Sequence, residues 1–169
     1  NVERRVLLSA TDAEEMPRFV RMGKTERVDF LDREEQTPDR ISLFTVKSPE
    51  KDKLQTLLKM LMEFGSEQSI VFLNYRGVER VAKFLSAEGF VISALHGGLD
   101  QRQREEAVYR FANHSTNVLV GTDLAARGLD IPDVANIIHY NLPVGEDEYV
   151  HRIGRTGRWD ATGRSFIIL

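Results

Sequence analysis

The chain has 169 residues with a net charge of −3, and 41% of its residues are hydrophobic. This length suits one well-packed domain with a short appendage. No apolar run approaches the ~20 residues that span a bilayer, and the first residues do not resemble a signal peptide. The absence of cysteine excludes disulfides and cysteine-ligated metals and favours a cytoplasmic location. A mildly acidic chain is not built for indiscriminate nucleic-acid binding, so any such site must be local.

Taken in chain order, the apolar residues alternate between strand-like and helix-like spacing. Residues 6–8 are typical of the end of a buried strand, and residues 11–39 predict a helix followed by a linker. Strands are then predicted over residues 41–46, 69–73, 91–95, 117–121, 136–140 and 165–169. Strands that alternate with amphipathic helices predict an α/β fold, with a parallel sheet covered by helices on both faces.

Three helices are predicted between these strands. The first begins at Ser48-Pro49, because serine can cap free amides and proline is tolerated in the first turn. The second has apolar residues at 78, 81, 82 and 85 and is closed by Gly89. The third is capped by Asp100 and places Phe111 on its inner face.

Polar segments follow several predicted strands, where ligands bind in parallel sheets. Thr122 ends one strand, and its hydroxyl and the helix amides after it could bind phosphate. Gly128 permits a tight turn, and Asp130 could accept a hydrogen bond from a ribose hydroxyl or simply cap a helix. Two further segments, 96–98 and 74–77, lie in similar places, and each of these loops taken alone is an ordinary surface loop.

The most distinctive segment is rich in arginine. Residues 152–164 contain four arginines and one aspartate. If this piece is helical, Arg155 and Arg158 lie one turn apart and could converge. Two guanidinium groups aimed at one point suit a phosphate chain, since each makes bidentate charged hydrogen bonds. An arbitrary arginine pair is more often a solvated surface, but the interleaved glycines weaken that interpretation. With the three loops above, this segment predicts four polar loops on one sheet edge.

These segments, in this order, resemble the motifs of the DEAD-box helicases of superfamily 2. The resemblance covers residues 9–11 (the third motif), 72–76 (the fourth), Gln101 with Arg104, 122–130 (the fifth) and 151–158 (the sixth). A histidine that opens the sixth motif is typical of the DEAD-box branch. One departure is Tyr75, where the family commonly has threonine. Its phenol reaches farther than a threonine hydroxyl and could stack on RNA or point away.

The resemblance implies a parent protein with two RecA-like domains that bind ATP and RNA across the cleft between them. It implies that residues 1–35 are the end of the first domain and a linker. Residues 36–169 are then the second RecA-like domain, a three-layer αβα fold. Carried over, Arg155 and Arg158 contact the γ-phosphate, with Arg158 as the arginine finger, and His151 couples the sixth motif to the first domain. Gly128 and Asp130 contact the nucleotide, Asp130 at the ribose.

The resemblance also implies contacts with RNA phosphates and sugars. The residues involved are Asn74, Tyr75, Arg76, Gly77, Gly97, Gln101, Arg104, Thr122 and Arg127. Ser9 and Thr11 belong to the first domain and link ATP hydrolysis to strand separation. The implied function is ATP-dependent RNA helicase activity, with ATP and Mg²⁺ as cofactors. The implied partners are RNA and the protein's own N-terminal RecA-like domain.

The sequence contains no complete ATP pocket. Gly23-Lys24-Thr25 looks like the end of a phosphate-binding loop, but that pattern needs glycine where Arg18 stands. No Asp-Glu-Ala-Asp sequence is present. We therefore expect the first domain to hold ATP and Mg²⁺, this chain to bind no metal, and this chain alone to be an inactive monomer.

Two other functions stay open. One is an RNA-binding or protein-docking module that works without ATP; the near-neutral charge and the lack of aromatic stacking platforms argue against strong RNA binding by such a module. The other is a lobe of a DNA helicase, since RNA and DNA share their phosphates. The family resemblance favours RNA.

Overall fold

The sheet at the centre of the fold has all of its strands parallel. The computed structural model describes residues 40–158 and 161–169, which fall within one unit of the chain, Thr37–Leu169. Their six strands are β1 (Ile41–Val46), β2 (Ser69–Phe72), β3 (Ile92–Leu95), β4 (Val118–Gly121), β5 (Asn136–His139) and β6 (Gly163–Ile168). The strand order is β1-β6-β5-β2-β4-β3, with every neighbouring pair parallel.

Helices connect the strands and cover both faces of the sheet. They are α1 (Leu54–Phe64), α2 (Val78–Ala87), α3 (Gln101–Ala112), α4 (Asp123–Ala126) and α5 (Glu146–Ile153), with a 3₁₀ helix at Tyr75–Gly77. Alternate residues of a strand point to opposite faces, and β2 shows the result. Val71 packs with α1 and α2 in one core, whereas Ile70 and Phe72 pack with α3 and α4 in the other. The predicted fold class is confirmed.

Local sequence signals set some of the element boundaries. Asp100 caps α3 in a capping box: its Oδ1 accepts from the Gln103 backbone N–H at 2.8 Å, and Gln103 Oε1 accepts from the Asp100 N–H at 2.9 Å. Gly89 follows α2 with φ of 94°, a conformation that glycine adopts without steric cost.

The predicted start of α1 at Ser48-Pro49 is wrong, since the helix begins at Leu54. The Ser48 N–H instead donates to the Leu169 carbonyl at 2.7 Å. Lys53 then adopts a left-handed conformation, with φ of 58°, and its ammonium donates to the carbonyls of Tyr140 (3.2 Å) and Ile168 (2.7 Å). Contacts between distant parts of the chain therefore hold residues 48–53 out of the helix.

Several predictions lie outside the described residues. They concern the strand at 6–8, the helix and linker at 11–39, the Gly23-Lys24-Thr25 segment, Ser9 and Thr11, and the domain boundary at residue 35. They stay predictions. Within the described ranges, no helix is both long and apolar enough to cross a membrane.

Candidate nucleic-acid and nucleotide site

Three of the predicted loops lie side by side where the strands of the sheet end, an edge we call the carboxyl edge. The strand order places β2, β4 and β3 next to one another. The loop 74–77 follows β2, Thr122 follows β4, and the turn 96–98 follows β3. The structure therefore brings together loops that are up to 48 positions apart in the sequence.

The loop after β2 forms a hydrogen bond to a residue that follows β5, and it also contacts the turn after β3. The Asn74 backbone N–H donates to Asn141 Oδ1 at 2.9 Å, beyond the end of β5. The Tyr75 ring lies edge-on to His96, with 6.4 Å between the ring centroids and 71° between the planes. Asn74, Tyr75 and Arg76 are exposed, and Gly77 is half-buried.

The start of α3 supplies a second set of predicted contacts beside the exposed Gly97. Gln101 is exposed, and its amide donates to Glu105 Oε1 at 2.8 Å. Arg104 is half-buried. Its Nε is buried and has no hydrogen-bond partner among the described residues, and no described carboxylate pairs with it. Arg104 thus brings a positive charge to the carboxyl edge that this part of the chain does not neutralise.

The loop after β4 begins with a residue that also has a structural role. Thr122 is only 8% exposed, and its Oγ1 accepts from the Ala125 N–H at 3.2 Å, which caps α4. The capping bond uses the oxygen as an acceptor and leaves the hydroxyl proton for another partner. Arg127 follows the helix and is exposed. Gly128 has φ of 74°, which supports the turn predicted there.

Only the start of the fourth segment reaches the carboxyl edge, where Arg152 donates to the Asn141 carbonyl, so the prediction of four loops on one edge is wrong for Arg155 and Arg158. Helix α5 ends at Ile153, which means that Arg155 and Arg158 are not held in one helix. Thr156 forms a parallel bridge with Val134, two residues before β5 begins. A helix that follows a parallel strand runs back along the sheet, so this loop lies near the opposite edge.

Arg155 and Arg158 nevertheless lie close to each other, next to Gly128 and Asp130. We call these four residues the arginine corner. Arg155 Nη1 donates to the Leu129 carbonyl at 3.3 Å, and Arg158 Nε donates to the Gly154 carbonyl at 2.6 Å. Burial and the Arg158 charge lower the pKa of Arg155, and Asp130 acts in the opposite direction. Within the described ranges, neither guanidinium forms an ion pair with a carboxylate.

Arg152 is the residue that sequence reasoning missed, because it entered only into a count of charges. It is 1% exposed and makes a bidentate pair with Asp123, with Nε–Oδ1 and Nη2–Oδ2 both at 2.7 Å. Its Nη1 donates to the Asn141 carbonyl at 2.7 Å and faces His139 Nδ1 at 3.3 Å. His151, on the same helix, is half-buried and makes no hydrogen bond with the described residues through its ring.

This buried pair joins the two halves of the site. Asp123 is the first residue of α4, which follows its cap Thr122 on the carboxyl edge and leads into Gly128 and Asp130. Arg152 is in the last turn of α5, three residues before Arg155. The sequence signal for it is weak: polar residues interrupt the predicted strands β5 and β6, and His139 and Ser165 among them are buried.

A parallel αβα sheet with these loops and a paired-arginine corner defines a RecA-like domain. Residues 52–160 match the family described as "Helicase conserved C-terminal domain". The DEAD-box ATP-dependent RNA helicase 21 of Oryza sativa subsp. japonica is 43% identical over 134 residues, which are 78% of this chain and 18% of the rice protein.

Solved structures agree with this match. The C-terminal domain of the DEAD-box protein Dbp5 has a TM-score of 0.70 at 31% identity and covers 78% of this chain and 77% of its own. Saccharomyces cerevisiae Dbp5 bound to RNA and ADP BeF3 has a TM-score of 0.68 at 30% identity, over 75% of this chain and 34% of its own. The chain therefore belongs to the helicase conserved C-terminal domain family, as the C-terminal RecA-like domain of the DEAD-box type. It spans less than half of the length of the curated relatives it matches.

Proposed function

We propose that this chain is the second RecA-like domain of an ATP-dependent RNA helicase that unwinds short RNA duplexes. In this proposal it binds the RNA backbone at its carboxyl edge and supplies Arg155 and Arg158 to ATP held by a first RecA-like domain. The protein acts as a monomer in the cytoplasm. We call the chain preceded by that first domain the two-domain protein.

The arginine corner is the observation that carries the proposal. Two guanidinium groups lie together and neither forms an ion pair with a described carboxylate; burial first, and then the charge of Arg158, lowers the pKa of Arg155. A polyphosphate placed against them offsets this repulsion, because each guanidinium can donate to phosphate oxygens. The corner therefore fits the γ-phosphate of ATP. Gly128 and Asp130, within the same corner, suit the ribose end of the nucleotide.

The carboxyl edge supports the RNA part of the proposal. Arg76, Arg104 and Arg127 follow three neighbouring strands, and the exposed backbone of 97–98 and the Thr122 hydroxyl provide further donors. Such groups contact phosphates and sugars and carry no base code. The similar structure of Dbp5 is described as bound to RNA and an ADP–beryllium fluoride group, which supports RNA and nucleotide as ligands of this chain.

The mechanism follows from how α4 and α5 connect the two regions. RNA at Thr122 contacts the start of α4, while Asp130 follows its end. The Arg152–Asp123 pair fixes α4 against α5, which leads into Arg155 and Arg158. Closure of the two domains on ATP and RNA brings Arg158 onto the γ-phosphate, where it stabilises the charge of phosphoryl transfer. The first domain would hold Mg²⁺, whose charge would neutralise part of the phosphate charge. Loss of the γ-phosphate contact then reopens the cleft.

The test is RNA-stimulated ATP hydrolysis, measured on this chain alone and on the two-domain protein. We expect turnover from the two-domain protein only, because the chain supplies arginines but no phosphate-binding loop. ATP hydrolysis by the chain alone would show that a complete pocket lies within its 169 residues. If neither protein hydrolyses ATP, RNA binding without ATP becomes the better function.

A further inference from the structure

We propose that the phenol ring of Tyr75 stacks on one nucleobase of the single strand bound at the carboxyl edge. This inference rests on the proposed function and goes beyond it, because the contacts described above involve only phosphates and sugars. It gives this chain one contact that requires an unpaired base.

One edge of the ring is fixed against the turn after β3. A Cβ added to Gly97 would lie 3.6 Å from Tyr75 Cε2 and 4.0 Å from Cδ2, and a Cβ added to Gly98 would lie 3.8 Å from the phenol oxygen. The edge of the ring from Cδ2 to the hydroxyl thus runs along the Gly97-Gly98 backbone. His96 contacts the ring edge-on. The backbone at Tyr75 is equally constrained, since the 3₁₀ helix closes with a 2.9 Å bond from the Gly77 N–H to the Asn74 carbonyl.

The rest of the ring is open to a ligand. Tyr75 is 62% exposed, and its hydroxyl has no hydrogen-bond partner among the described residues. A tyrosine that served only to pack would bury most of its ring, because burial is the source of its stabilising effect. Here the side chain covers a glycine turn with one edge and leaves most of its apolar surface in water.

The arginines near Tyr75 indicate that a nucleobase is the group that covers the exposed face of its ring. Arg76 follows Tyr75 directly, and Arg104 brings an unneutralised charge to the same edge, so a strand whose phosphates contact these arginines runs past the ring. Aromatic side chains held in this way stack on bases with little dependence on sequence, since every base has a π-face. A pre-positioned ring also loses little conformational entropy on binding. Threonine, which the family commonly has here, cannot make this contact.

The test measures binding of the two-domain protein, with a non-hydrolysable ATP analogue, to a single-stranded oligouridylate and to the same oligomer with abasic riboses. Tyr75→Ala is expected to weaken binding to the oligouridylate about five- to hundredfold, the range for loss of one stacked base. Tyr75→Phe keeps the ring and is expected to bind like the parent. The abasic oligomer is expected to bind the parent and Tyr75→Ala equally.

Arg104→Ala is the matched control, because a phosphate contact weakens binding to both oligomers. If Tyr75→Ala binds the oligouridylate like the parent while Arg104→Ala is weakened, stacking is wrong and the proposed function stands. An equal loss on both oligomers would make Tyr75 a backbone contact and would also overturn stacking. If the parent binds neither oligomer, both the proposed function and the stacking proposal fail.

Discussion

The free energy of unfolding depends on pH through His139, because the neighbours of this residue lower the pKa of its ring. Its ring is fully buried, with Nδ1 facing Arg152 Nη1 at 3.3 Å and Nε2 facing Ser165 Oγ at 3.0 Å. Because arginine only donates, Nδ1 must accept, and the single ring proton lies on Nε2. A second proton would face the guanidinium. Burial, together with the Arg152 charge, accordingly lowers the pKa of His139 to about 4.

The unfolded chain therefore binds a proton at His139 before the folded chain does. We expect the free energy of unfolding to fall as the pH decreases from about 6.5 to about 4, by roughly 3 kcal/mol from this residue, and to lose nothing further from it below that range. Urea unfolding at a series of pH values measures the fall. His139→Gln, whose amide can still donate to Ser165, is expected to remove this part of the slope; an unchanged slope would assign it to other groups.

Arg152 should be among the most costly residues to replace in the described chain. Arg152→Leu leaves the Asp123 carboxylate, whose side chain is 15% exposed, without its bidentate partner. Losing one member of a buried pair costs about 3–5 kcal/mol. The comparison is Arg80→Ala, which breaks an exposed pair with Asp52 and is expected to cost about 1 kcal/mol or less. Denaturant midpoints of the two variants test the contrast, and similar losses would contradict it.

At the scale of the elements, the N-terminal cap of α3 makes a measurable contribution to the stability of the domain. Asp100→Ala removes the side-chain bond to the Gln103 N–H and is expected to reduce stability by about 1 kcal/mol. Asp100→Asn retains an acceptor oxygen and should remain near the parent. Chemical denaturation of both variants provides the measurement. Equal losses in the two variants would show that the charge of Asp100, rather than its capping bond, stabilises the helix.

The same elements show why sequence reasoning succeeds in one place and fails in another. The cap at Asp100 and the end of α2 before Gly89 depend on neighbours within a few residues, so the sequence displays them. The start of α1 depends on Lys53, whose ammonium donates to the carbonyls of two residues that lie 87 and 115 positions away in the sequence. No local pattern contains those partners. The helix therefore does not begin at Ser48-Pro49, because contacts that form only in the folded chain hold these residues in another conformation.

At the scale of the whole molecule, the sequence predicted the position of three polar loops and not that of the fourth. The strand order, with β4 between β2 and β3, brings three loops together as expected from their positions after strands. The sixth motif was expected on the same edge, because it too follows a predicted strand. Its location follows instead from the return of α5 along the sheet. This separation leaves two groups of arginines in different places, which are joined through α4 and α5.

Because the arginine corner and the carboxyl edge are separate, we predict that ATP hydrolysis and RNA binding can be lost separately. In the two-domain protein, Arg158→Ala is expected to lower the rate of RNA-stimulated ATP hydrolysis by about 10³–10⁵-fold, the effect of removing an arginine finger. RNA affinity should change little, because Arg158 lies away from the carboxyl edge. Arg104→Ala is expected to show the reverse order, with weaker RNA binding and near-normal hydrolysis at saturating RNA. Single-turnover hydrolysis and equilibrium RNA binding, measured on both variants, test this. Equal loss of both activities in Arg158→Ala would contradict its role as the arginine finger, since a residue that contacts only the γ-phosphate has no direct means of holding RNA.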